Sequence, residues 1–258
     1  MGGDVGRRAE YRTLLTEAYD LDKPHAPPGE LAFHRAQVEE HGTPALELMS
    51  GSARFLAPLL AAGLDVDGVD ASRDMLAAAV RRCAGLPPHR FPLRQYEQAL
   101  HELDLPRRYR FAFCAAGSFG LVVRDEEVAA SLRRIRDHLL PGGRVLLEVE
   151  TPPASSARRG AWTGRFWRRP DGATITLRDL GRYDPATQVE EAVGIYELFV
   201  DGRLVQTELN EWVRRFWTAG QITAALAGAG FTDVRVRPAP HAPADDGSLL
   251  VATAAAPG

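Results

Sequence analysis

The sequence is short of cysteine, of long apolar runs and of any excess of positive charge. Only two cysteines, Cys83 and Cys114, occur in 258 residues. They lie far apart with no CxxC spacing, which excludes a cysteine zinc site and leaves buried free thiols. Nothing in them asks for an oxidising compartment. No uninterrupted apolar run reaches 18 residues, so no membrane-spanning helix is expected. The start, MGGDVGRRAEYRTLL, lacks the apolar core of a signal peptide, and Gly6 stands where a myristoylation site needs Ser or Thr. A cytoplasmic protein is expected. The formal net charge of −3 gives no global basic field. Nucleic acid and anionic membrane are therefore disfavoured as partners.

What is present is ordinary globular composition, 45% apolar and 25% charged, enough for one large domain or a domain with an insertion. Helical patterns occupy residues 7–19 and 29–42, with the proline-rich loop DLDKPHAPPGE between them. Then comes a regular alternation. ALELM reads as a buried strand, ARFLAPLLAAG as a helix, LDVDGVD as a strand and SRDMLAAAVRRCAG as a helix capped by Ser72. YRFAFCAAG, RDEEVAASLRRIRDHLLPGG and RVLLEVE continue as strand, helix and strand. Such alternation predicts a doubly wound, mostly parallel sheet.

After residue 150 the pattern changes. Residues 151–171 are rich in Pro, Arg, Trp and Gly and read as irregular. Three strand-like runs follow, the last two joined by Asp201-Gly202, a two-residue hairpin signal. This predicts an antiparallel meander inserted into the parallel sheet. TAGQITAALAGAGF, capped by Thr218, reads as a helix. TDVRVRP and SLLVATA read as closing strands with a turn at DDG, and AAAPG as a disordered tail.

The turn between the first strand and its helix, MSGSAR, has one glycine, Gly51. A dinucleotide needs GxGxxG to cradle its pyrophosphate, and this stretch does not supply it. An adenosine without phosphates needs less: a turn for close approach and an acid for the ribose. Asp70, at the end of the second strand, is such an acid.

These motifs resemble the class I S-adenosylmethionine-dependent methyltransferases. LELMSGSARFLAPLL is similar to the family's first motif, commonly LELGCGTGRFLLPLA, with Glu47, Gly51 and Arg54 matching and Met49 and Ala53 in place of glycines. VDGVDAS followed by DML is similar to the second motif, and LLPGG precedes an apolar strand as the family's fifth strand is preceded. The resemblance covers residues 19–150 and, in pattern, 216–253. It implies a seven-stranded Rossmann-like fold over 45–150 and 217–254, a helical cap or lid over 1–44, and a substrate-binding antiparallel insertion over 151–216.

It also implies S-adenosylmethionine as cofactor, S-adenosylhomocysteine as product, a small-molecule substrate and no metal, in a monomer or homodimer. The reaction implied is methyl transfer to O or N, possible in secondary metabolism. A methyltransferase fold that catalyses a non-methylating cyclisation or isomerisation is the alternative, and a non-catalytic scaffold a third reading.

Carried over position by position, Tyr19, Glu47, Gly51, Arg54, Asp70, Ala71, Met75, Ala116 and Gly117 contact the cofactor. Glu47 serves the methionine amino end, Asp70 the ribose, and Ala71 and Met75 the adenine. The family's acid beside the adenine amine aligns with Ala99, which leaves Gln98 as the expected adenine contact. Ser118 and Phe119 face the substrate. His34 and Tyr19 are the catalytic candidates. Trp162 and Trp167, with Arg158, Arg165 and Arg168 in the same segment, and His241 are the substrate-side candidates. His25 is a further lid candidate. His101 reads as structural, and His41, His89 and His138 as solvated or helix-end residues.

Overall fold

The computed structural model describes residues 11–153, 161–242 and 248–258. Two helices, α1 (Thr13–Asp22) and α2 (Pro28–His41), precede the first strand. Then come β1 (Ala45–Leu48), α3 (Leu56–Ala61), β2 (Val66–Asp70), α4 (Arg73–Ala84), β3 (Gln95–Glu97), β4 (Tyr109–Cys114), α5 (Asp125–Asp137) and β5 (Leu139–Glu150). A second group of strands, β6 (Thr163–Arg168), β7 (Thr174–Asp184), β8 (Val189–Val200) and β9 (Arg203–Arg215), leads to α6 (Ala219–Gly228), β10 (Thr232–Pro238) and β11 (Leu249–Ala255). Short 3₁₀ turns cover Leu100–Glu102 and Ser118–Leu121.

The main sheet has seven strands in the order β10-β11-β5-β4-β1-β2-β3. It is parallel except that β11 runs antiparallel to both neighbours. β6 to β9 form a separate antiparallel sheet of four strands in chain order. The expected α/β architecture with an antiparallel meander is what the structure shows.

β1 lies centrally and is buried along its whole length. Its apolar run reflects a strand covered on both faces. Beside it, on β4, lie Phe111 and Phe113, both fully buried; each such ring contributes about 1.5–3 kcal/mol by leaving water. The helices are placed by local chemistry. Ser72 accepts the Met75 N–H at 3.2 Å to start α4, whose buried face is Met75, Ala78, Ala79 and Cys83. Thr218 and Gln221 form a reciprocal capping box on α6. Asp201 and Gly202 both take positive φ, 50° and 74°, as a tight hairpin turn requires.

Several expectations are corrected. β3 was not among the expected strands: it is three residues long, half-exposed and at the sheet edge, so it carries no apolar run. β6 falls in a segment read as irregular; it is an exposed edge strand, Arg-rich and nearly free of buried residues. The tail expected to be disordered instead continues β11 to Ala255, and the Ala256 N–H donates to Gly143 O at 2.8 Å. His138, read as solvated or at a helix end, does cap α5 but is buried, and it joins Arg134 O to the Leu105 N–H, 2.7 and 2.8 Å. The expected turn at residues 245–247, Arg158, and the part of the first helix before residue 11 lie outside the described residues. No helix among the described residues is long and apolar enough to cross a membrane.

Candidate functional site

The order of the main sheet reverses between β1 and β4, and a cavity opens beyond the carboxyl ends of β1, β2 and β4. That is where ligands bind in open α/β sheets. The turn after β1 holds three left-handed residues in alternation: Met49 at φ 54°, Gly51 at 53° and Ala53 at 62°. The chain therefore keeps the shape of a glycine turn while spending a methionine and an alanine on it, at about 1–2 kcal/mol each. Buried hydrogen bonds hold that shape. Ser50 N–H donates to Val69 O at 3.0 Å, and Ala53 N–H to Ser50 O at 3.0 Å.

Asp70 closes the turn from the other side. Its carboxylate accepts the Gly51 N–H and the Ser72 N–H, each at 2.8 Å. A carboxylate has about four lone-pair sites, so capacity remains for hydroxyls of a ligand. Burial pushes the Asp70 carboxyl above its usual value, against the backbone N–H groups of Ser72, Gly51 and Ala71 that favour its charge. Gly51, Asp70, Ala71, Met75 and Gln98 all line the cavity, with Tyr19 from α1.

Glu47, on β1, is buried, and its Oε2 has no hydrogen-bond partner. Burial pushes its carboxyl up to about 8; Arg54 and the Leu56 N–H pull it down and Asp70 pushes it further up. Arg54 is itself buried, its guanidinium 5.0 Å from the Phe55 ring centroid and 5.9 Å from that of Tyr19, with Nε unpartnered. The unpartnered Glu47 oxygen is a buried polar atom beside this turn, and neither Glu47 nor Arg54 is among the residues on the cavity wall.

α1 is pinned over the turn. Arg82 donates to Asp20 Oδ1 and to Ser52 O, each at 2.8 Å, and Ser52 Oγ donates to the same Asp20 oxygen. From the second sheet, Glu208 accepts the Leu14 and Leu15 N–H groups at 3.0 and 3.3 Å, a carboxylate at the positive end of α1. Leu14 and Ala18 pack on Ala173, Ile175 and Leu198 of that sheet. Arg214 on β9 bridges Glu150 and Glu190 at 2.8 and 2.7 Å, tying the second sheet to the end of β5.

The structure moves several expected site residues elsewhere. His34 is fully buried and outside the cavity: Nε2 lies 3.1 Å from Glu148 Oε1, and the ring stacks on Phe113 at 5.1 Å. His241 approaches the same oxygen at 3.2 Å, with its side chain 5% exposed. The other Glu148 oxygen accepts the Ala116 N–H at 2.6 Å. Three chain segments thus meet at one buried carboxylate, and apolar packing around it leaves neither histidine open to a ligand. Ala116 and Gly117, at φ 56° and 71°, shape the turn after β4 without lining the cavity. Ser118 does line it, whereas Phe119 points into the core against Trp217, ring centroids 5.8 Å apart.

Trp162 is exposed and Trp167 donates Nε1–H to Asp22 Oδ1 at 3.1 Å; neither reaches the cavity, because β6 is the far edge of the second sheet. Gln98 lines the cavity, but its carboxamide is bonded on both sides to the Asp104 backbone, at 3.2 and 2.8 Å. Among the described residues, no group of three or more His, Cys, Asp or Glu is placed to hold a metal ion.

Sequence reasoning missed Tyr11, Ser72, His101, the stretch Leu121–Arg124, Glu127 and Val213, all on the cavity wall. Tyr11 meets Tyr19 edge-on at 6.1 Å, and its carbonyl accepts the Ser72 hydroxyl at 2.7 Å. Val213 comes from β9, whose register over the cavity no local pattern reports. His101 carried a usable signal, since it lies two residues from Ala99, where the family's acid aligns.

Comparison with known proteins agrees with this arrangement. Residues 45–143 match the family described as "Methyltransferase domain". The domain contains both halves of the turn, Gly51 and Asp70. The chain is 31% identical over 153 residues to a dTDP-3-amino-3,6-dideoxy-alpha-D-glucopyranose N,N-dimethyltransferase of Streptomyces fradiae, covering 56% of each chain. It is 23% identical over 171 residues to a dTDP-3-amino-3,4,6-trideoxy-alpha-D-glucopyranose N,N-dimethyltransferase of Streptomyces venezuelae, covering 66% of this chain and 63% of that one. The matches thus span little more than half of the first relative and under two thirds of the second. Among solved structures, a sugar N-methyltransferase from a Streptoalloteichus species superposes with a TM-score of 0.72 at 21% identity, covering 100% of both chains. That likeness extends the methyltransferase fold beyond residues 45–143 to the helical start and the second sheet.

Proposed function

We propose that this protein is an S-adenosylmethionine-dependent methyltransferase that methylates a nitrogen of a small molecule, with an amino sugar as the substrate class. The observation that carries this reading is the shared cavity of Gly51 and Asp70 on a methyltransferase domain. The residues present fit the cofactor. Asp70 has acceptor capacity for ribose hydroxyls, the unpartnered Glu47 Oε2 suits an ammonium group, and Val69, Met75 and Leu100 give apolar walls for a base. Bound there, the cofactor supplies a methyl group already activated on a sulfonium. The protein then has to align the acceptor and exclude water.

Tyr11, just before α1, and Tyr19, on α1, stand on the cavity wall. Burial raises both phenols, so near neutral pH they remain protonated and orient an acceptor rather than take its proton. An amine suits such a site, because it presents its lone pair after losing a proton to water. A hydroxyl would need a base close by. The names of the curated relatives, both amino-sugar N,N-dimethyltransferases, support the same choice. The test is turnover with a nucleotide-linked amino sugar. S-adenosylhomocysteine should form in step with mono- and dimethylated amine. Substrate consumed without S-adenosylhomocysteine would favour the non-methylating alternative instead.

The pH dependence of binding follows from Glu47. With its folded pKa near 8 and an exposed value of 4.5, the carboxyl stabilises the ligand-free fold fully below pH 4.5, and this contribution is lost as pH rises through about 8. A ligand ammonium beside it lowers that pKa, with Arg54 acting in the same direction and Asp70 against it. Binding near pH 7 should therefore release a proton. Affinity for S-adenosylhomocysteine should tighten by about an order of magnitude from about pH 6 to about pH 8, then level off. Calorimetry in two buffers of different ionisation enthalpy measures the proton. A pH-independent affinity with no proton release would remove Glu47 from the amino-end role.

A further inference from the structure

Resting on the methyltransferase reading, we infer that Glu148 of β5 is a positioning residue for the methyl acceptor, acting through the turn that follows β4. The sheet order divides the cavity. Gly51 follows β1, Asp70 ends β2 and Leu100 follows β3, so the cofactor lies across that flank. Ser118 follows β4, on the other side of β1, and lines the cavity with Val213 of β9. That flank is left to the acceptor.

Ser118 is presented by a turn that its own sequence does not favour. The Ser118 N–H closes on Ala115 O at 3.2 Å, and the two residues between, Ala116 and Gly117, take φ of 56° and 71°. Two central residues at positive φ are the pattern of a type I′ turn, which glycine accepts freely and alanine does not. Ala116 is exposed, so packing gives its conformation little support. Its N–H, however, donates to Glu148 Oε2 at 2.6 Å. β5 supports the turn at two points. Leu147 pairs with Cys114, the last residue of β4, so Glu148 and Glu150 come level with the turn itself. They lie two apart and share a face of the strand. Gly117 rests on Glu150, where an added Cβ would stand 2.9 Å from Glu150 Cγ. Glu148 is oriented from behind by His34 and His241, whose Nε2 atoms lie 3.1 and 3.2 Å from Oε1. One carboxylate oxygen is thus held in the core while the other is aimed at the turn. Glu148 does not line the cavity; it governs the alignment of the acceptor and not the affinity for the cofactor.

The test uses Glu148→Met in the full chain, well below its melting temperature, which keeps the bulk and removes the hydrogen-bond acceptor. Calorimetry with S-adenosylhomocysteine counts the folded sites and should give an affinity within about threefold of wild type. Turnover of the nucleotide-linked amino sugar at saturating S-adenosylmethionine should fall by about 10- to 100-fold, the scale on which a misplaced group costs rate. Glu148→Gln, which keeps an oxygen for the Ala116 N–H, should stay within about threefold of wild-type turnover. Ala116→Gly placed in the Glu148→Met chain should recover about threefold or more, because glycine holds positive φ without the bond. A merely structural role would not produce that recovery. A Glu148→Met protein that turns over like the wild type would overturn the inference. So would a loss that Glu148→Gln shares in full and Ala116→Gly does not recover. In both cases wild-type turnover leaves the methyltransferase reading standing. A wild type that forms no S-adenosylhomocysteine from the amine would overturn that reading and the inference with it.

Discussion

Asp70→Ala should bind S-adenosylhomocysteine roughly 30- to 150-fold more weakly than the wild type, about 2–3 kcal/mol. Two losses combine in that figure. The ribose hydroxyls lose a charged acceptor. The Gly51 and Ser72 N–H groups, each 2.8 Å from the carboxylate, lose the group that fixes the turn. The second loss matters because Met49 and Ala53 sit at positive φ and depend on their surroundings to stay there. Asp70→Asn separates the two. It can accept from one N–H, so it should keep more of the turn while still losing the charge. Calorimetry on both variants, with thermal melting to confirm the fold, gives the comparison. Unchanged affinity in Asp70→Ala would place the ribose elsewhere.

Glu148→Ala should cost about 3–5 kcal/mol of stability, the range for removing one partner from a buried charged cluster. In a chain of this size that is a fall in melting temperature of roughly 10 °C. The carboxylate is fully buried, and His34, His241 and the Ala116 N–H all converge on it. Its loss strands three polar groups from α2, from the loop after β10 and from the turn after β4. Thermal or urea unfolding measures the cost, and a change below about 1 kcal/mol would mean that the cluster is not holding these elements together. The same cluster decides the role of His34. In folded His34→Asn, assayed well below its melting temperature, turnover should stay within a few-fold of wild type. A hundredfold loss at unchanged stability would restore a catalytic role.

The parts of this protein that could be read in its sequence are those set by neighbours along the chain. β1, α3 and β2 were legible because a buried parallel strand must be apolar and a helix must show its own period. The hairpin at Asp201-Gly202 was legible because few residue pairs adopt two positive φ values. β3 and β6 were not, since a short or exposed edge strand buries too little to impose a pattern. In the site, Gly51 and Asp70 were legible through their spacing. The histidines were not. His34 had the sequence surroundings of a lid residue and lies in the core, while His101, read as structural, faces the cavity.

The sequence by itself determined the α/β alternation, the turn that brings Gly51 to Asp70 and the hairpin of the antiparallel sheet. Each depends on hydrogen bonds and packing within one βαβ unit or one hairpin, so the local order of residues is enough. Only the tertiary structure decided which titratable groups meet. Glu148 gathers His34 and His241 from opposite ends of the chain, and β9 lends Val213 to a wall that includes Val69 and Asp70 of β2. Those contacts are made by sheet order and by helices crossing it, and no spacing along the chain encodes the distance between two side chains that the fold brings together.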